Sequence, residues 1–73
     1  MTIDEVKMVV ALQLGLKDVR TTDRIVEDLG AESADVVNIV AALEDKYGIE
    51  VDEPELQNVG TVSDLHEMVR RHR

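Results

Sequence analysis

The sequence predicts an all-α fold, a small antiparallel four-helix bundle made of three main helices and one short helix. Apolar residues recur with the period of a helix in three segments, and helix-capping signatures or a glycine turn precede these segments. The chain has 73 residues with no internal repeat, low-complexity tract or linker. We therefore expect a single domain over residues 1–73.

The first helix is predicted to begin at the capping box of residues 2–5, Thr-Ile-Asp-Glu, and to end at Gly15. Residues 16–30 have no long period, and we expect one helical turn around residues 24–28. Five apolar residues are predicted to anchor this connection: Leu16, Val19, Ile25, Val26 and Leu29. The buried stripe of the first helix is predicted to be Ile3, Val6, Val10 and Leu14.

The second helix is predicted to run from Ser33 to Tyr47 and to end at Gly48, with Ser33 exposed at its start. Its core-facing stripe consists of aliphatic residues and one tyrosine, at Val36, Ile39, Val40, Leu43 and Tyr47. The opposite side is predicted to carry Ala34, Asn38, Ala41 and Asp45.

Two further helices follow a short extended return of Ile49 and Val51 to the core. Residues 52–55 read as an acidic cap with proline in the first turn of a short helix that buries Leu56 and Val59. Residues 61–64 form another capping signature before the last helix. Its inward residues are Val62, Leu65, Met68 and Val69, and its basic end carries Arg70, Arg71 and Arg73.

Charge limits the partners of the protein. The net charge is -8, and residues 27–55 contain ten acids and one base, Lys46, which gives that segment -9. Nucleic acid and anionic membranes need a positive protein surface and are therefore not expected partners. A basic patch on another protein is the natural complement. The alternative is a solvated acidic face that only maintains solubility.

The composition also indicates the cellular location of the protein. The chain has no cysteine, no apolar run of membrane-spanning length and no signal-peptide pattern at its N-terminus. We therefore expect a cytoplasmic monomer without a membrane span.

The residue types in the chain give little support for an enzymatic function. There is neither a cysteine nucleophile nor a glycine-rich phosphate loop. A grouping of Ser33 with His66 and an aspartate is conceivable, but His66 reads more simply as a surface residue of the last helix. Asp52, Glu53 and Glu55 lack the pattern of an EF-hand, so no metal site is predicted. We expect a protein that is not an enzyme.

Ser33 has a setting that suits a modified hydroxyl. A phosphate ester on its oxygen would meet the N–H groups and the positive dipole end of the second helix. The alternative is that Ser33 is an ordinary N-cap, since serine is strongly preferred at that position.

Residues 29–35, Leu-Gly-Ala-Glu-Ser-Ala-Asp, resemble the acyl carrier protein signature, usually written L-G-x-D-S-L-D. Residues 36–51 are similar to the second helix of that family, including the aromatic residue and the apolar return. The likeness also extends to the length, the acidity and the Thr-Val start of the last helix. The resemblance implies an acyl-carrier-protein-like bundle.

The resemblance further implies that Ser33 is the attachment point of 4′-phosphopantetheine, moved from coenzyme A by a phosphopantetheinyl transferase. The thiol of this covalent arm would carry acyl groups as thioesters in fatty-acid, lipid or related biosynthesis. Acyl transferases, ketosynthases or acyl ligases with basic docking patches would be the partners. The implied partner surface consists of Asp28, Glu32, Ala34, Asp35, Val37, Ala41, Glu44, Asp45 and Glu50.

Two positions depart from the family pattern: Glu32 replaces the usual aspartate before the serine, and Ala34 replaces the usual leucine after it. These departures favour a specialised carrier with its own partners. A peptidyl or D-alanyl carrier is an alternative, as is an unmodified acidic helical domain that docks a basic protein.

Overall fold

The computed structural model describes residues 2–72, and within this range it contains the helices that the sequence predicts. Helix α1 spans Ile3–Leu14, α2 spans Ser33–Tyr47, a 3₁₀ helix spans Glu53–Asn58 and α3 spans Val62–Arg71. Helix α1 packs against both α2 and α3. The predicted all-α bundle of three main helices and one short helix is confirmed.

The core is aliphatic throughout, because every fully buried side chain among the described residues is Val, Ile, Leu, Met or Ala. The inward stripes predicted for α2 and α3 supply seven of its twelve residues, and α1 supplies two. Tyr47 packs against this core while half-buried. The core residues are Val6, Val10, Val19, Ile25, Ala31, Ile39, Val40, Leu43, Val62, Leu65, Met68 and Val69.

Two of the helices start at the capping boxes that the sequence predicts. In α1, the hydroxyl of Thr2 accepts from the N–H of Glu5 at 3.2 Å, and the Glu5 carboxylate accepts from the N–H of Thr2 at 2.8 Å. In α3, the Asp64 carboxylate accepts from the N–H groups of Gly60 and Thr61 at 2.8 and 2.9 Å. Gly15 and Gly48 end α1 and α2 in the left-handed conformation, as predicted.

The long connection between α1 and α2 is held against the start of α3. Three backbone hydrogen bonds join residues 21–25 to residues 60–63: Ile25 N–H to Gly60 O, Val62 N–H to Asp23 O and Ser63 N–H to Thr21 O, at 2.8 to 3.1 Å. The predicted helical turn appears as a hydrogen-bonded turn, in which the N–H of Asp28 donates to Arg24 O at 2.8 Å.

Two of the predicted anchors of this connection are wrong. Val19 and Ile25 are buried and Leu29 is half-buried, but Leu16 is 37% exposed and Val26 is 52% exposed. The turn directs Ile25 into the core, and its neighbour Val26 therefore points to the surface.

The 3₁₀ helix is held more weakly than the other helices. Leu56 and Val59 reach the core, as predicted, but they are only half-buried, and no residue of this helix is fully buried. The Asp52 side chain makes no capping hydrogen bond, contrary to the predicted acidic cap. Glu55 ties the helix to the end of α3 through His72, with 2.7 Å between carboxylate oxygen and ring nitrogen. This hydrogen bond lowers the pKa of Glu55.

The last turn of α3 carries Arg70 and Arg71, as predicted, while Arg73 lies outside the described residues. No helix within residues 2–72 is long and apolar enough to cross a membrane.

Acid should weaken the cap of α3. The backbone N–H groups of Thr61 and Gly60 lower the pKa of Asp64 below its usual 3.8. A carboxylate whose pKa falls on folding stabilises the protein above its unfolded pKa, and this stability is lost as the pH falls through the folded pKa. We expect Asp64→Asn to lower the free energy of unfolding near neutral pH. This loss should shrink as the pH drops below about 4.

Urea unfolding of the parent and Asp64→Asn at a series of pH values measures this deficit. Asp45→Asn, at an exposed position of α2, is the matched control and should show no such convergence. If the difference in unfolding free energy between the parent and Asp64→Asn stayed constant from neutral to acidic pH, the Asp64 charge would not be what stabilises the cap.

Candidate functional site

Ser33 is the first residue of α2, and its side chain is exposed. Glu32 occupies the N-cap position, and the carboxylate of Asp35 accepts from the N–H of Glu32 at 2.9 Å. Within residues 2–72 the hydroxyl of Ser33 makes no hydrogen bond. The interpretation of Ser33 as an ordinary N-cap is therefore wrong, because Glu32 occupies that position and Ser33 is the first residue inside the helix.

The chain passes from the core to the surface just before Ser33. Ala31 is only 4% exposed, and its N–H donates to Ile25 O at 3.1 Å. Gly30, with φ of 73°, supplies the left-handed turn that brings the chain to this point. Ser33 follows two residues after a buried anchor, so its position relative to the core is well determined.

The start of α2 combines two opposing electrostatic influences. The N–H groups of the first turn have no partners within the helix, and the helix dipole is positive there, which favours an anion bound to Ser33. Glu32 and Asp35 lie on either side and oppose a further negative charge.

Two adjoining clefts lie between α2 and the 3₁₀ helix. We call the cleft of about 310 Å³ that includes Ser33 the near cleft, and the cleft of about 230 Å³ further along α2 the far cleft. The near cleft is lined by Val26, Ser33, Val36, Val37, Glu53, Leu56, Gln57 and Val59. The far cleft is lined by Val37, Val40, Ala41, Glu44, Val51, Glu53 and Leu56.

Six of the nine residues predicted as a partner surface belong to α2, while Asp28 and Glu32 precede this helix and Glu50 follows it. Val37 lines both clefts, while Ala41 and Glu44 line the far cleft. The spacing of Ala34, Val37 and Ala41 puts them on one face of α2. Asp35 and Glu44 are half-buried, and the other predicted residues are exposed: Asp28, Glu32, Ala34, Val37, Ala41, Asp45 and Glu50.

Some of the acids predicted for this surface also hold the fold together. Asp28 accepts from the backbone N–H of Arg24 at 2.8 Å, and this bond, followed by the bond from the Arg24 guanidinium, lowers the pKa of Asp28. Glu44 accepts from the N–H of Val51 at 2.8 Å. Together with Asp35, these carboxylates brace the segments on either side of α2.

The sequence did not indicate that three of the cleft residues outside α2 belong to a site. Val26 was expected in the core, and Glu53 was considered as part of the acidic cap and as a metal ligand. No role was predicted for Gln57. The adjacent branched residues Ile25 and Val26 in a short turn were a usable signal, because such neighbours rarely both reach the core.

The alternative chemistries gain no support from the structure. No histidine lines either cleft, and within the described residues no hydrogen bond or ion pair joins Ser33 to His66. Asp52, Glu53 and Glu55 do not gather with other side chains into a group of three potential metal ligands in residues 2–72.

Comparison with known families gives one match that covers nearly the whole chain. Residues 4–69 match the family model described as "Phosphopantetheine attachment site". The chain is 44% identical over 64 residues to an acyl carrier protein of Wolinella succinogenes, covering 85% of this chain and 84% of that protein. It is 32% identical over 74 residues to an acyl carrier protein of Clostridium acetobutylicum, covering 99% and 96%.

Solved structures share the fold. An acyl carrier protein from Thermotoga maritima superposes with a TM-score of 0.80 at 24% identity, covering 96% of this chain and 84% of that one. A chain in the structure of the ishigamide ketosynthase/chain length factor superposes with a TM-score of 0.79 at 20% identity, covering 96% and 90%.

Replacing Gly30 should disturb the turn before Ser33 through backbone strain alone. A Cβ at Gly30 would meet nothing within 4 Å, but the positive φ is unfavourable for an L-residue. We expect Gly30→Ala to lower the free energy of unfolding by about 1 kcal/mol.

Denaturant unfolding measures this loss, with Gly60→Ala as the control. Gly60 does not have a positive φ, and a Cβ there would lie 3.4 Å from the Asp64 carboxylate, an ordinary contact. Equal stability of the parent and Gly30→Ala would show that the turn does not depend on glycine.

Proposed function

The chain belongs to the acyl carrier protein family, whose members bear the phosphopantetheine attachment site, and on this premise we propose how it works. Ser33 receives the covalent 4′-phosphopantetheine arm, and residues 1–73 act as a single carrier domain. The arm shuttles acyl groups between enzymes of fatty-acid, lipid or related biosynthesis. The protein itself catalyses no reaction.

The observation that supports this proposal is the exposed hydroxyl of Ser33. It lies at the start of α2 with its own oxygen uninvolved in capping, because Glu32 is the N-cap and forms the capping box with Asp35. A hydroxyl in this position can enter the active site of a transferase without local unfolding. The buried Ala31 and the left-handed Gly30 keep the backbone around it in one conformation.

The residues around Ser33 fit the cofactor. The hydroxyl oxygen bonds to the phosphorus on the pantetheine side of the coenzyme A diphosphate and forms a phosphodiester. The P–O bond of the diphosphate bridge breaks, adenosine 3′,5′-bisphosphate leaves, and the hydroxyl proton passes to a base of the transferase. The N–H groups at the start of α2 face the resulting negative charge. When bound, the arm supplies a thiol that holds the acyl group as a thioester, a function that this chain without cysteine cannot supply itself.

The proposed partners are a phosphopantetheinyl transferase and enzymes that load, extend or transfer acyl groups. Their basic patches would face the exposed acids of α2 and of the segment after it, including Glu32, Asp45 and Glu50. Ala34, Val37 and Ala41 offer small apolar contacts between these charges. Opposite charges steer the encounter, and the apolar contacts then determine how long the complex lasts.

The proposal predicts that Ser33 is the only residue that accepts the arm. Incubation with coenzyme A, magnesium and a broad-specificity phosphopantetheinyl transferase should add one phosphopantetheinyl group, detected by intact mass. Ser33→Ala should abolish the addition while the circular dichroism stays helical.

Ser63→Ala is the matched control, because Ser63 is also exposed in the first turn of a helix. This variant should accept the arm as the parent does. Addition to Ser33→Ala, or failure of the parent with several transferases, would refute the proposed attachment.

Ala34 should influence the choice of partner. A leucine here would project beside the arm, and burying such a side chain contributes roughly 1.5–3 kcal/mol. Enzymes that depend on a leucine anchor should therefore bind this protein about ten-fold or more weakly than they bind Ala34→Leu. The fold should hardly change, since Ala34 is exposed on the side opposite the core.

Steady-state loading and elongation kinetics with a general acyl transferase or ketosynthase compare the two forms. Asn38→Leu, at another exposed position of α2, tests whether any added leucine has the same effect. Identical kinetics for the parent and Ala34→Leu would mean that the acids, and not this position, determine partner choice.

A further inference from the structure

The outer face of α1 is apolar, although it points away from the core. Met8 is 64% exposed and Leu12 is 75% exposed, and their spacing of four residues places them side by side on one face of the helix. The buried residues of α1, Val6 and Val10, are two positions out of step with them. Two positions correspond to about 200° around a helix, so Met8 and Leu12 point away from the bundle.

Leu16 extends this apolar surface at the end of α1. Its N–H donates to Ala11 O at 2.9 Å, which folds it back against the last turn, and its side chain is 37% exposed. We call Met8, Leu12 and Leu16 the α1 patch. A single exposed apolar residue is ordinary, but a group of them left uncovered on one side of a small protein indicates a contact with another molecule.

The charges around the α1 patch cancel. A hollow beside Met8 is bordered by two acids and two bases, Asp4, Asp18, Lys7 and Lys17. Asp4 and Lys7 form an ion pair at 3.9 Å. Residues 2–24 contain four acids and four bases, whereas residues 27–55 carry -9. The α1 patch therefore lies in the neutral part of a strongly acidic protein.

This charge distribution favours a second copy of the chain as the occupant of the α1 patch. Two molecules with a net charge of -8 repel each other over most of their surface, and the repulsion is least where each presents no net charge. A basic partner, by contrast, gains nothing from a neutral face. A two-fold contact uses the same patch on both copies, and a border of two acids and two bases lets each charge find its opposite.

The same charges favour an antiparallel arrangement of the two α1 helices. A parallel two-fold contact would place each residue opposite its own copy and would bring the two Asp4 carboxylates together. An antiparallel contact centred between Met8 and Leu12 keeps these carboxylates at opposite ends. It also sets the two helix dipoles in opposite directions.

We infer that two copies of the protein associate through their α1 patches, with the α1 helices antiparallel and Met8 of each copy against Leu12 of the other. So few side chains bury less than a standard interface, and the dimer is therefore weak and transient. The monomer that the sequence predicts is then the dilute state of the protein. Ser33 and the nine residues predicted as a partner surface all lie outside residues 2–24, so each copy should keep them available.

Sedimentation equilibrium of the full, unmodified chain tests the dimer. The average mass should rise from one chain toward two as the concentration is raised to about 1 mM. It should rise further with salt, because the screening length falls from about 30 Å at 0.01 M to about 3 Å at 1 M and the repulsion between the copies weakens. An association of acidic with basic patches would weaken with salt instead.

Glutamine substitutions locate the contact. The double variant Met8→Gln with Leu12→Gln should keep its helical circular dichroism, because glutamine is a good helix former, and its association should weaken about ten-fold or more. Val37→Gln is the matched control, since it removes an exposed apolar side chain from α2. This variant should associate as the parent does.

NMR of mixed copies tests the arrangement of the helices. The chain has no cysteine, so Gln13→Cys provides a single site for a nitroxide at an exposed position near the end of α1. When this form is mixed with unlabelled-thiol parent enriched in ¹⁵N, the amide of Lys7 should broaden more than that of Gln13. The reverse order would refute the antiparallel contact.

A mass of one chain up to about 1 mM protein in high salt would refute the dimer. The same conclusion follows if Val37→Gln weakens the association as strongly as the double variant, because the contact would then involve α2. These measurements use the protein without its arm, so they do not depend on the proposed function. The dimer can fail while the carrier function stands, and failure of Ser33 to accept an arm would leave the dimer untouched.

Discussion

The passage of the chain from buried Ala31 to exposed Ser33 is the constraint on which the rest of the site depends. The N–H of Ala31 is tied to Ile25 O, and Ile25 is itself tied to Gly60 at the start of α3. These backbone hydrogen bonds, together with the small buried side chain of Ala31, fix the position of the start of α2 relative to the core. In the proposed carrier, the transferase must reach the Ser33 hydroxyl and later enzymes must meet the arm attached there, and a flexible approach to Ser33 would cost binding entropy at each encounter.

Some acidic residues of the protein stabilise the fold, and others form its exposed charged surface. Asp35, Glu44 and Asp64 each accept backbone N–H groups that would otherwise lack partners, and they therefore brace the ends of helices and the return after α2. The exposed acids on and beside α2 remain for a basic partner. This division explains how so small a protein tolerates a net charge of -8: part of the charge is offset by local hydrogen bonds.

The helices, the capping boxes of α1 and α3 and the core stripes of α2 and α3 were predictable because periodicity and capping are local properties of the sequence. Ser33 was identifiable for the same reason. The two clefts were not, because they depend on how Val26 and the 3₁₀ helix lie against α2, and this is a matter of tertiary packing. Leu16 and Val26 illustrate the limit: hydrophobicity alone indicated burial, whereas both side chains are exposed in the structure. Coordinates were also required to show that Glu32, and not Ser33, is the N-cap of α2.

The most direct test of the account is the intact mass of the protein recovered from its native host, followed by mapping of the modified peptide. The account predicts a population heavier than the bare chain by one phosphopantetheinyl group, with or without an acyl cargo, and the added mass should map to Ser33. A population that carries only the mass of the bare chain in growing cells, or an added mass on another residue, would contradict it.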